Sequence, residues 1–254
     1  MIILEDTRQQ EKKHEVKHQY FRSVGIHWNR TALYCGDYSL PADQSVCIDT
    51  KFSIHELIGD IQVKQMPKKE IKAAVYEICG IHEKEDHDIG FADDIFHAIC
   101  DDDADRFAEK DINELCYKYY ISESVINQFQ ALYVKRHGFF HRGLKRAQNS
   151  GIRLYILVEN EDGVTSFDDL FQWHNPRLDI LVNSNQMIGF WKNGKPRYKK
   201  VRKYPYAATG EWLAKACLTM ELKYGCKFLF CKPNDSGAKI LELLGVNEYA
   251  EKTS

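Results

Sequence analysis

Apolar residues along this chain recur with two different periods, and these periods predict strands and helices in alternation. Short apolar runs predict strands at residues 2–5, 27–33 and 46–50. Apolar positions that repeat every three or four residues predict helices at residues 10–23 and 54–61. The first part of the chain therefore has the predicted order strand, helix, strand, strand, helix, which is typical of an α/β fold with a central sheet.

The same alternation returns after residue 138. A basic amphipathic helix is predicted at residues 138–149, and a continuous apolar strand follows at residues 154–158. A strand pair is predicted within residues 179–204, because apolar and basic runs flank a turn at Asn193-Gly194. The chain then continues with a helix at residues 209–224, a strand at 227–231 and a helix at 236–244.

Residues 66–124 separate these two parts and differ from both in charge. Predicted helices flank an acidic middle, in which twelve Asp or Glu residues between Glu83 and Asp111 outnumber three basic residues. We therefore predict an α/β domain formed by residues 1–65 and 125–254, with residues 66–124 as an acidic helical insertion.

One interpretation of the insertion is a DNA-reading motif. Residues 111–133 resemble the two-helix core of a helix-turn-helix, with Ser122 capping the second helix. That helix carries Glu123 and no arginine, and its acidic surroundings oppose contact with phosphates. A packing or protein-contact role is therefore favoured, and DNA reading remains the alternative.

A second interpretation of the insertion is a zinc site. Cysteine and histidine are the usual ligands of structural zinc, and two pairs here have a spacing of two intervening residues. No second Cys-x2-Cys pair supports the assignment, so chance spacing remains an alternative. The candidate ligands are Cys79, His82, His87, His97 and Cys100.

Composition narrows the class of protein. With 254 residues and 44% hydrophobic content, the chain can bury a sizeable core. It has no uninterrupted apolar run that could span a bilayer and no cleavable signal at its start, so we expect a cytoplasmic protein with no membrane partner. Its eight cysteines show no paired spacing, which predicts buried thiols rather than disulfides.

The net charge of −2 does not by itself indicate a nucleic-acid partner, but the charge is unevenly distributed. Residues 195–206 contain six lysines or arginines and three interleaved tyrosines, a composition suited to phosphate contact and base stacking. A solvated edge hairpin has the same composition, so both interpretations stay open. The DNA-contact candidates are Arg197, Lys199, Lys200 and Arg202 here, and His141, Arg142 and Lys145 on the helix at residues 138–149.

The candidate chemistry lies in residues 36–51. Asp37 follows a glycine in a predicted turn, and Asp49 and Lys51 end the strand that comes next. Side chains alternate along a strand, so Asp49 and Lys51 share a face. Two converging carboxylates make a hard oxygen site suited to Mg²⁺, and a neighbouring lysine can hold the attacking water of a hydrolysis.

This spacing resembles that of the PD-(D/E)xK nuclease superfamily, with Asp37 as the first acid and Asp49-Thr50-Lys51 as the D-x-K. The resemblance implies a restriction-endonuclease-like core, in which helices flank a mixed central sheet. It also implies a Mg²⁺ or Mn²⁺ cofactor held by Asp37, Asp49 and the Thr50 carbonyl, with Lys51 positioning the attacking water.

Two flanking segments resemble the XPF-type nuclease domains of this superfamily. Residues 2–8, IILEDTR, resemble the strand and D-x-R-E opening of those domains, with Gln9 in place of the usual glutamate. Residues 53–58, SIHELI, resemble the segment after the E-R-K, with one residue inserted and Glu56 where aspartate is usual. The resemblance covers most of the chain outside the insertion and is greatest to bacterial and phage members. It implies that Asp6 and Glu56 complete the acidic cluster and that Arg8 contacts DNA.

These features predict a metal-dependent endonuclease that hydrolyses phosphodiester bonds of DNA, with DNA structure as a candidate basis of selectivity. The alternative is a catalytically inactive DNA- or protein-binding module of the same fold. In that case the acidic insertion serves as a partner site, or mimics DNA and occupies the cleft. The sequence leaves open a homodimer and a protein partner bound through the insertion.

Overall fold

The bounds of the strands and helices define the architecture. The computed structural model describes residues 1–8, 14–62, 66–81, 89–100 and 108–246. Within these ranges the strands are β1 Ile2–Asp6, β2 His27–Thr31, β3 Tyr38–Ser39, β4 Val46–Lys51, β5 Arg153–Glu159, β6 Leu181–Phe190, β7 Pro196–Arg202 and β8 Lys227–Cys231. The helices are α1 Glu15–Ser23, α2 Ile54–Ile61, α3 Lys68–Ile78, α4 Ile89–Cys100, α5 Ala108–Lys118, α6 Glu123–His137, α7 Phe139–Asn149, α8 Phe167–Gln172, α9 Gly210–Tyr224 and α10 Ser236–Leu243. No helix in the described ranges is long and apolar enough to cross a membrane.

Six of these strands form a mixed sheet in the order β2-β1-β3-β4-β5-β8. β1 is parallel to β2, and β5 is parallel to both β4 and β8, whereas the short β3 is antiparallel to β1 and β4. The predicted α/β arrangement with a mixed central sheet is therefore confirmed. Because only β3 runs in the opposite direction, the carboxyl ends of β1 and β4 meet the start of β3 at one edge of the sheet.

Strand β5 shows how the sheet divides the core. Leu154, Ile156 and Val158 belong to the apolar cluster formed with α2, α7 and α9, whereas Leu157 belongs to the cluster formed with α1 and α10. Successive side chains of a strand point to opposite faces, so both faces of β5 are buried. This burial explains the continuous apolar sequence of the strand.

The insertion is a helical unit with an apolar core of its own. Helices α3 to α6 contribute to one buried cluster, which includes Ile71, Ile95 and Phe129. The cluster extends to Tyr133, so α6 packs with the insertion even though the predicted insertion ends at residue 124. Helical periodicity predicts that α6 has a buried face, but only the packing shows which core buries it.

The two ends of the insertion lie side by side. The backbone N–H of Met66 donates a hydrogen bond to the carbonyl of Lys135 over 3.0 Å. Gly138 then separates α6 from α7, so the insertion leads directly into a helix that covers the sheet. The start of α3 and the end of α6 therefore lie next to each other, close to the start of α7.

The two sharper interpretations of the insertion, a zinc site and a helix-turn-helix, have different outcomes. His82 and His87 lie outside the described residues, as does much of the acidic middle, so the zinc site stays a prediction. In the helix-turn-helix interpretation, Ser122 occupies the N-cap position of α6, but its side chain makes no hydrogen bond to the first turn. The predicted side-chain cap is therefore absent from that helix.

Strands β6 and β7 form a separate antiparallel hairpin. The predicted turn at Asn193-Gly194 connects them, and Gly194 has a φ of +77°. The turn is closed by a hydrogen bond of 2.8 Å from the Trp191 N–H to the Lys195 carbonyl. Both faces of the hairpin are largely exposed, in contrast to the central sheet.

Candidate active site

A glycine turn holds Asp37 against β4. Gly36 has a φ of +68°, and a Cβ atom at this position would lie 2.9 Å from the carbonyl oxygen of Ile48. The Asp37 N–H donates to that same oxygen over 2.7 Å, and the Asp37 carbonyl accepts the Asp6 N–H over 2.8 Å. Only glycine suits both the positive φ and the close approach, so the turn places Asp37 between β1 and β4.

Thr50 orients the Asp37 side chain. The Thr50 N–H and the Thr50 hydroxyl both donate to Asp37 Oδ2 over 2.7 Å. The N–H and C=O of one strand residue point to the same side, and Ile48, two residues earlier, directs its carbonyl to the Asp37 N–H. The Thr50 carbonyl, which is the predicted third metal ligand, therefore points to the same side of β4 as Asp37.

Lys51 lies between two carboxylates. Its Nζ atom is 3.0 Å from Asp49 Oδ2 and 2.8 Å from Asp60 Oδ2. The same atom lies 4.9 Å from the centre of the Phe140 ring, a distance at which a cation interacts favourably with an aromatic face. Asp49 and Lys51 thus share a face, as strand alternation predicts, and Asp60 joins them from α2.

The structure corrects the expectation for Glu56. Ser53 caps α2 by accepting the Glu56 N–H over 3.1 Å, and Glu56 Oε2 accepts the Phe52 N–H over 2.7 Å. Glu56 is exposed and does not line the cavity that contains Asp37, and its carboxylate is bound to the backbone just before α2. Asp60, one helical turn later, contributes the carboxylate instead. The S-x-x-E pattern of Ser53 and Glu56 is a capping signature that could have indicated this.

Asp6 lies at the edge of the site and is paired with Arg8. The Arg8 Nε atom is 2.9 and 3.0 Å from the two Asp6 carboxylate oxygens, and the Arg8 N–H donates to one of them over 2.8 Å. Arg8 also donates to the Leu33 carbonyl over 2.8 Å. Burial alone would raise the pKa of Asp6, but the hydrogen bonds from Arg8 outweigh it and lower that pKa. Asp6 therefore anchors Arg8, and its part in the acidic cluster stays a prediction.

Two carboxyl groups with raised pKa values lie close together. Burial, together with repulsion from Asp49, raises the pKa of Asp37 to about 7, against the lowering effect of the Thr50 hydrogen bonds. Burial also raises the pKa of Asp49, although Lys51 partly offsets this. Burial would lower the pKa of Lys51, but attraction to Asp49 and Asp60 raises it above its ordinary value. Lys51 is therefore a stable cation, suited to holding a water or a phosphate oxygen rather than to accepting a proton.

The net charge of the ionisable side chains around Lys51 favours the binding of a divalent cation. When ionised, Asp37, Asp49 and Asp60 carry three negative charges against one positive charge on Lys51, which leaves two negative charges. The candidate ligand atoms are hard oxygens, from two carboxylates and the Thr50 carbonyl, as Mg²⁺ prefers. Within the described part of the chain, no group of three His, Cys, Asp or Glu side chains could hold a metal alone. A Mg²⁺ ion bound here would therefore take further ligands from water and phosphate, which is its usual preference.

A cavity of about 440 Å³ opens over the carboxylates. The segment between β2 and β3 forms one wall, and helix α7 forms another. The cavity-facing residues of α7 follow helical spacing, because residues three and four apart lie on one face of a helix. They are Phe139, Phe140, Arg142, Gly143, Leu144 and Arg146.

The structure divides the predicted DNA contacts of the α/β domain into two groups. Arg8 and Arg142 line the cavity, and so does Arg146, which was absent from the candidates chosen by sequence. His141 instead contacts a tyrosine of α9 over 3.3 Å, and Lys145 does not line the cavity. Arg142 and Arg146 are one helical turn apart, and this spacing is the signal that could have indicated Arg146.

The basic residues of the hairpin lie outside the cavity. One face of β7 presents Tyr198, Lys200 and Arg202, and the other face presents Arg197 and Lys199. The four basic side chains are exposed. None of them lines the cavity, so a DNA that contacts both must extend beyond the carboxylates.

Comparison with known proteins found similar solved structures but no close relative. XPF from Aeropyrum pernix is similar with a TM-score of 0.37 and 11% sequence identity, over 98% of this chain and 65% of that one. XPF from Aeropyrum pernix in complex with DNA is similar with a TM-score of 0.38 and 12% identity, over 98% of this chain and 66% of that one. This chain thus spans slightly less than two thirds of the length of each. No protein-family model and no curated protein matches the sequence.

Proposed function

We propose that this protein is a metal-dependent nuclease that hydrolyses phosphodiester bonds of DNA at a PD-(D/E)xK-type site. The observation that carries the proposal is the arrangement of Asp37, Asp49 and Lys51, in which a buried and a half-buried carboxylate lie close to a lysine cation. This donor set suits Mg²⁺ or Mn²⁺, with the Thr50 carbonyl as a third protein ligand. Such an ion, when bound, polarises the phosphate and lowers the pKa of a bound water.

The side chains of the site supply binding, orientation and charge. Asp37 and Asp49 hold the cation, and Thr50 fixes the direction of the Asp37 carboxylate. Lys51 donates to the attacking water or to a phosphate oxygen and stabilises the negative charge that develops on the phosphoryl group. Asp60 orients Lys51 and keeps it protonated.

The positive charges that line the cavity favour a substrate with many negative charges. Arg8, Arg142 and Arg146 line the cavity that contains the carboxylates, and a guanidinium group can bind a phosphate with two parallel hydrogen bonds. The exposed basic residues of β7 extend the set of candidate phosphate contacts away from the cavity. A chain of phosphates suits this distribution better than a small phosphate ester does.

The experiment that tests the proposal is cleavage of a panel of labelled DNAs with Mg²⁺, Mn²⁺ or Ca²⁺. The panel contains a linear duplex, a single strand, a flap, a fork and a four-way junction, and preference for one of them would define the selectivity. Asp37→Asn, Asp49→Asn and Lys51→Ala should each abolish detectable cleavage, and the first two should also weaken metal binding. Asp43→Asn is the matched control, because it changes an exposed carboxylate in the turn before β4.

Two outcomes would contradict the proposal in different ways. Undiminished turnover by Lys51→Ala would contradict the assigned mechanism. Binding of DNA without cleavage of any member of the panel would instead favour the catalytically inactive binding module of the same fold. Circular dichroism and thermal unfolding of each variant distinguish loss of chemistry from loss of folding.

A further inference from the structure

Two exposed aromatic side chains line the cavity beside the carboxylates. Phe139, the first residue of α7, is 77% exposed, and Tyr34, between β2 and β3, is 57% exposed. Single exposed aromatic residues are common on protein surfaces. Two of them in the wall of one charged cavity form a more specific arrangement, which suits a ligand that has both a flat apolar part and a negative charge.

Each of these rings is paired with an arginine of α7. Arg142 lies 5.8 Å from the centre of the Phe139 ring, and Arg146 lies 5.5 Å from the centre of the Tyr34 ring. Arg146 also donates to the Tyr34 carbonyl over 3.1 Å, which ties the two segments together. The two arginines are one helical turn apart, so the cavity presents two aromatic–guanidinium pairs in succession. Aromatic faces bind nucleic-acid bases by stacking, and guanidinium groups bind phosphates.

The wall of the cavity leaves room for a ligand between these pairs. Gly143 lies in this wall, and a Cβ atom added to it would meet no atom within 4 Å. The cavity volume of about 440 Å³ falls within the range of roughly 300–1,000 Å³ that is usual for sites of small-molecule ligands. This volume suits one nucleotide at a time.

We propose that this cavity binds an unpaired nucleotide of a DNA strand. The base packs against the exposed rings of Phe139 and Tyr34, and the phosphate lies among Arg142, Arg146 and the carboxylate pair. A base inside a duplex is stacked between its neighbours, so its face is not available to a side chain until it leaves the stack. The substrate is therefore single-stranded, or becomes unpaired, at the scissile phosphate. This inference rests on the proposed function, because the carboxylate pair defines where the phosphate lies.

Binding in Ca²⁺, measured by fluorescence anisotropy, tests the inference without requiring turnover. One probe is a labelled single-stranded oligonucleotide, and the other has the same length and phosphates but abasic residues at its central positions. We expect Phe139→Ala and Tyr34→Ala each to weaken binding of the intact strand roughly 5- to 150-fold, which is the effect of losing one base–aromatic stack. Neither variant should change binding of the abasic strand, which has no base to stack.

Gly143 provides a steric test with a matched control. Gly143→Leu fills the space beside the helix and should abolish the preference for the intact strand over the abasic strand. Gly143→Ala adds only a Cβ atom and should keep that preference. Both substitutions replace a helix-interior glycine with a better helix former, so thermal stability should be kept or increased in both.

The possible results separate this inference from the nuclease proposal. Equal losses on intact and abasic strands, or an unchanged preference in Gly143→Leu, would overturn the inference alone, provided that the protein still cleaves DNA. Absence of any DNA binding by the wild-type protein would overturn both.

Discussion

The Nζ atom of Lys51 lies 2.8 Å from Oδ2 of Asp60, so the last residue of β4 is held by a carboxylate of α2. Burial would lower the pKa of this lysine, but Asp60 and Asp49 together raise it. The contact therefore both orients the ammonium group and keeps it charged throughout the neutral pH range. We infer that Asp60 acts on the site through Lys51 rather than as a metal ligand.

Replacing Asp60 with asparagine should reduce the cleavage rate roughly 10- to 100-fold, which is the usual effect of losing a residue that orients a group at a metal site. Metal affinity, measured by calorimetry, should change little because Asp37 and Asp49 remain. Glu56→Gln is the matched control, since it changes an acid in the first turn of the same helix that lies outside the cavity. Loss of activity in Glu56→Gln but not in Asp60→Asn would restore the assignment predicted from the sequence.

The metal-free protein should become less stable as the pH rises, because of Asp37. Burial raises the pKa of this group from 3.8 to about 7, so between these values the folded state holds a proton that the unfolded state releases. The resulting stabilisation is fully present below about pH 4 and is lost as the pH rises through about 7. In EDTA, wild-type protein should lose on the order of 2–4 kcal/mol of unfolding free energy relative to Asp37→Asn between about pH 5 and pH 8.

Added Mg²⁺ should reverse this trend. The ion binds ionised carboxylates, so its stabilising effect on the wild-type protein should grow between about pH 6 and pH 8. The effect should be smaller and less dependent on pH in Asp37→Asn, in which Thr50 can still donate its hydrogen bonds to the amide oxygen. A constant difference between the two proteins in EDTA would show that Asp37 does not titrate in this range.

Lys17 on α1 and Glu159 at the end of β5 form an ion pair in which both side chains are almost fully buried. Removing one partner leaves an uncompensated buried charge, so Lys17→Met should lower the free energy of unfolding by about 3–5 kcal/mol. Combining it with Glu159→Leu should recover most of this loss, because a buried pair often contributes little net stability compared with apolar residues. Chemical denaturation of both single variants and the double variant measures the coupling, and additive losses would contradict this account.

The insertion should be removable as a unit. Its ends are joined by the 3.0 Å hydrogen bond between Met66 and Lys135, and its apolar core is separate from the two clusters on the sheet. Replacing residues 67–134 with a short Gly-Ser linker should therefore leave the α/β domain folded, as circular dichroism and thermal unfolding would show. DNA binding should be unchanged or stronger, because the acidic insertion repels a polyanion. Weaker binding by the folded deletion variant would favour the helix-turn-helix interpretation.

The two faces of β7 can be tested separately for DNA contact. Lys200→Ala with Arg202→Ala changes the face that carries Tyr198, and Arg197→Ala with Lys199→Ala changes the opposite face. Each lost phosphate contact should flatten the plot of log affinity against log salt by roughly 0.7–0.9 units. We expect a change of about one to two units on the Tyr198 face, where an aromatic ring can add base stacking. Unchanged slopes in both double variants would exclude the hairpin from the DNA interface.

Local patterns in the sequence predict much of the fold. They place strands within one residue of the observed bounds of Ile2–Asp6, Val46–Lys51 and Lys227–Cys231. They also place Asp49 and Lys51 on one face, because alternation is a property of the strand alone. The strand Tyr38–Ser39 is not predicted from the sequence, because two residues are too few to show a period.

Contacts between distant segments were decided only by the tertiary structure. Helix α2 contains two acids, and the choice of Asp60 over Glu56 as the partner of Lys51 depends on how the helix is capped and how it packs on the sheet. Tyr34 and Phe139 meet at one cavity although no local pattern relates them. Periodicity identifies the residues of one element that share a face, whereas the partner of that face depends on how the whole chain packs.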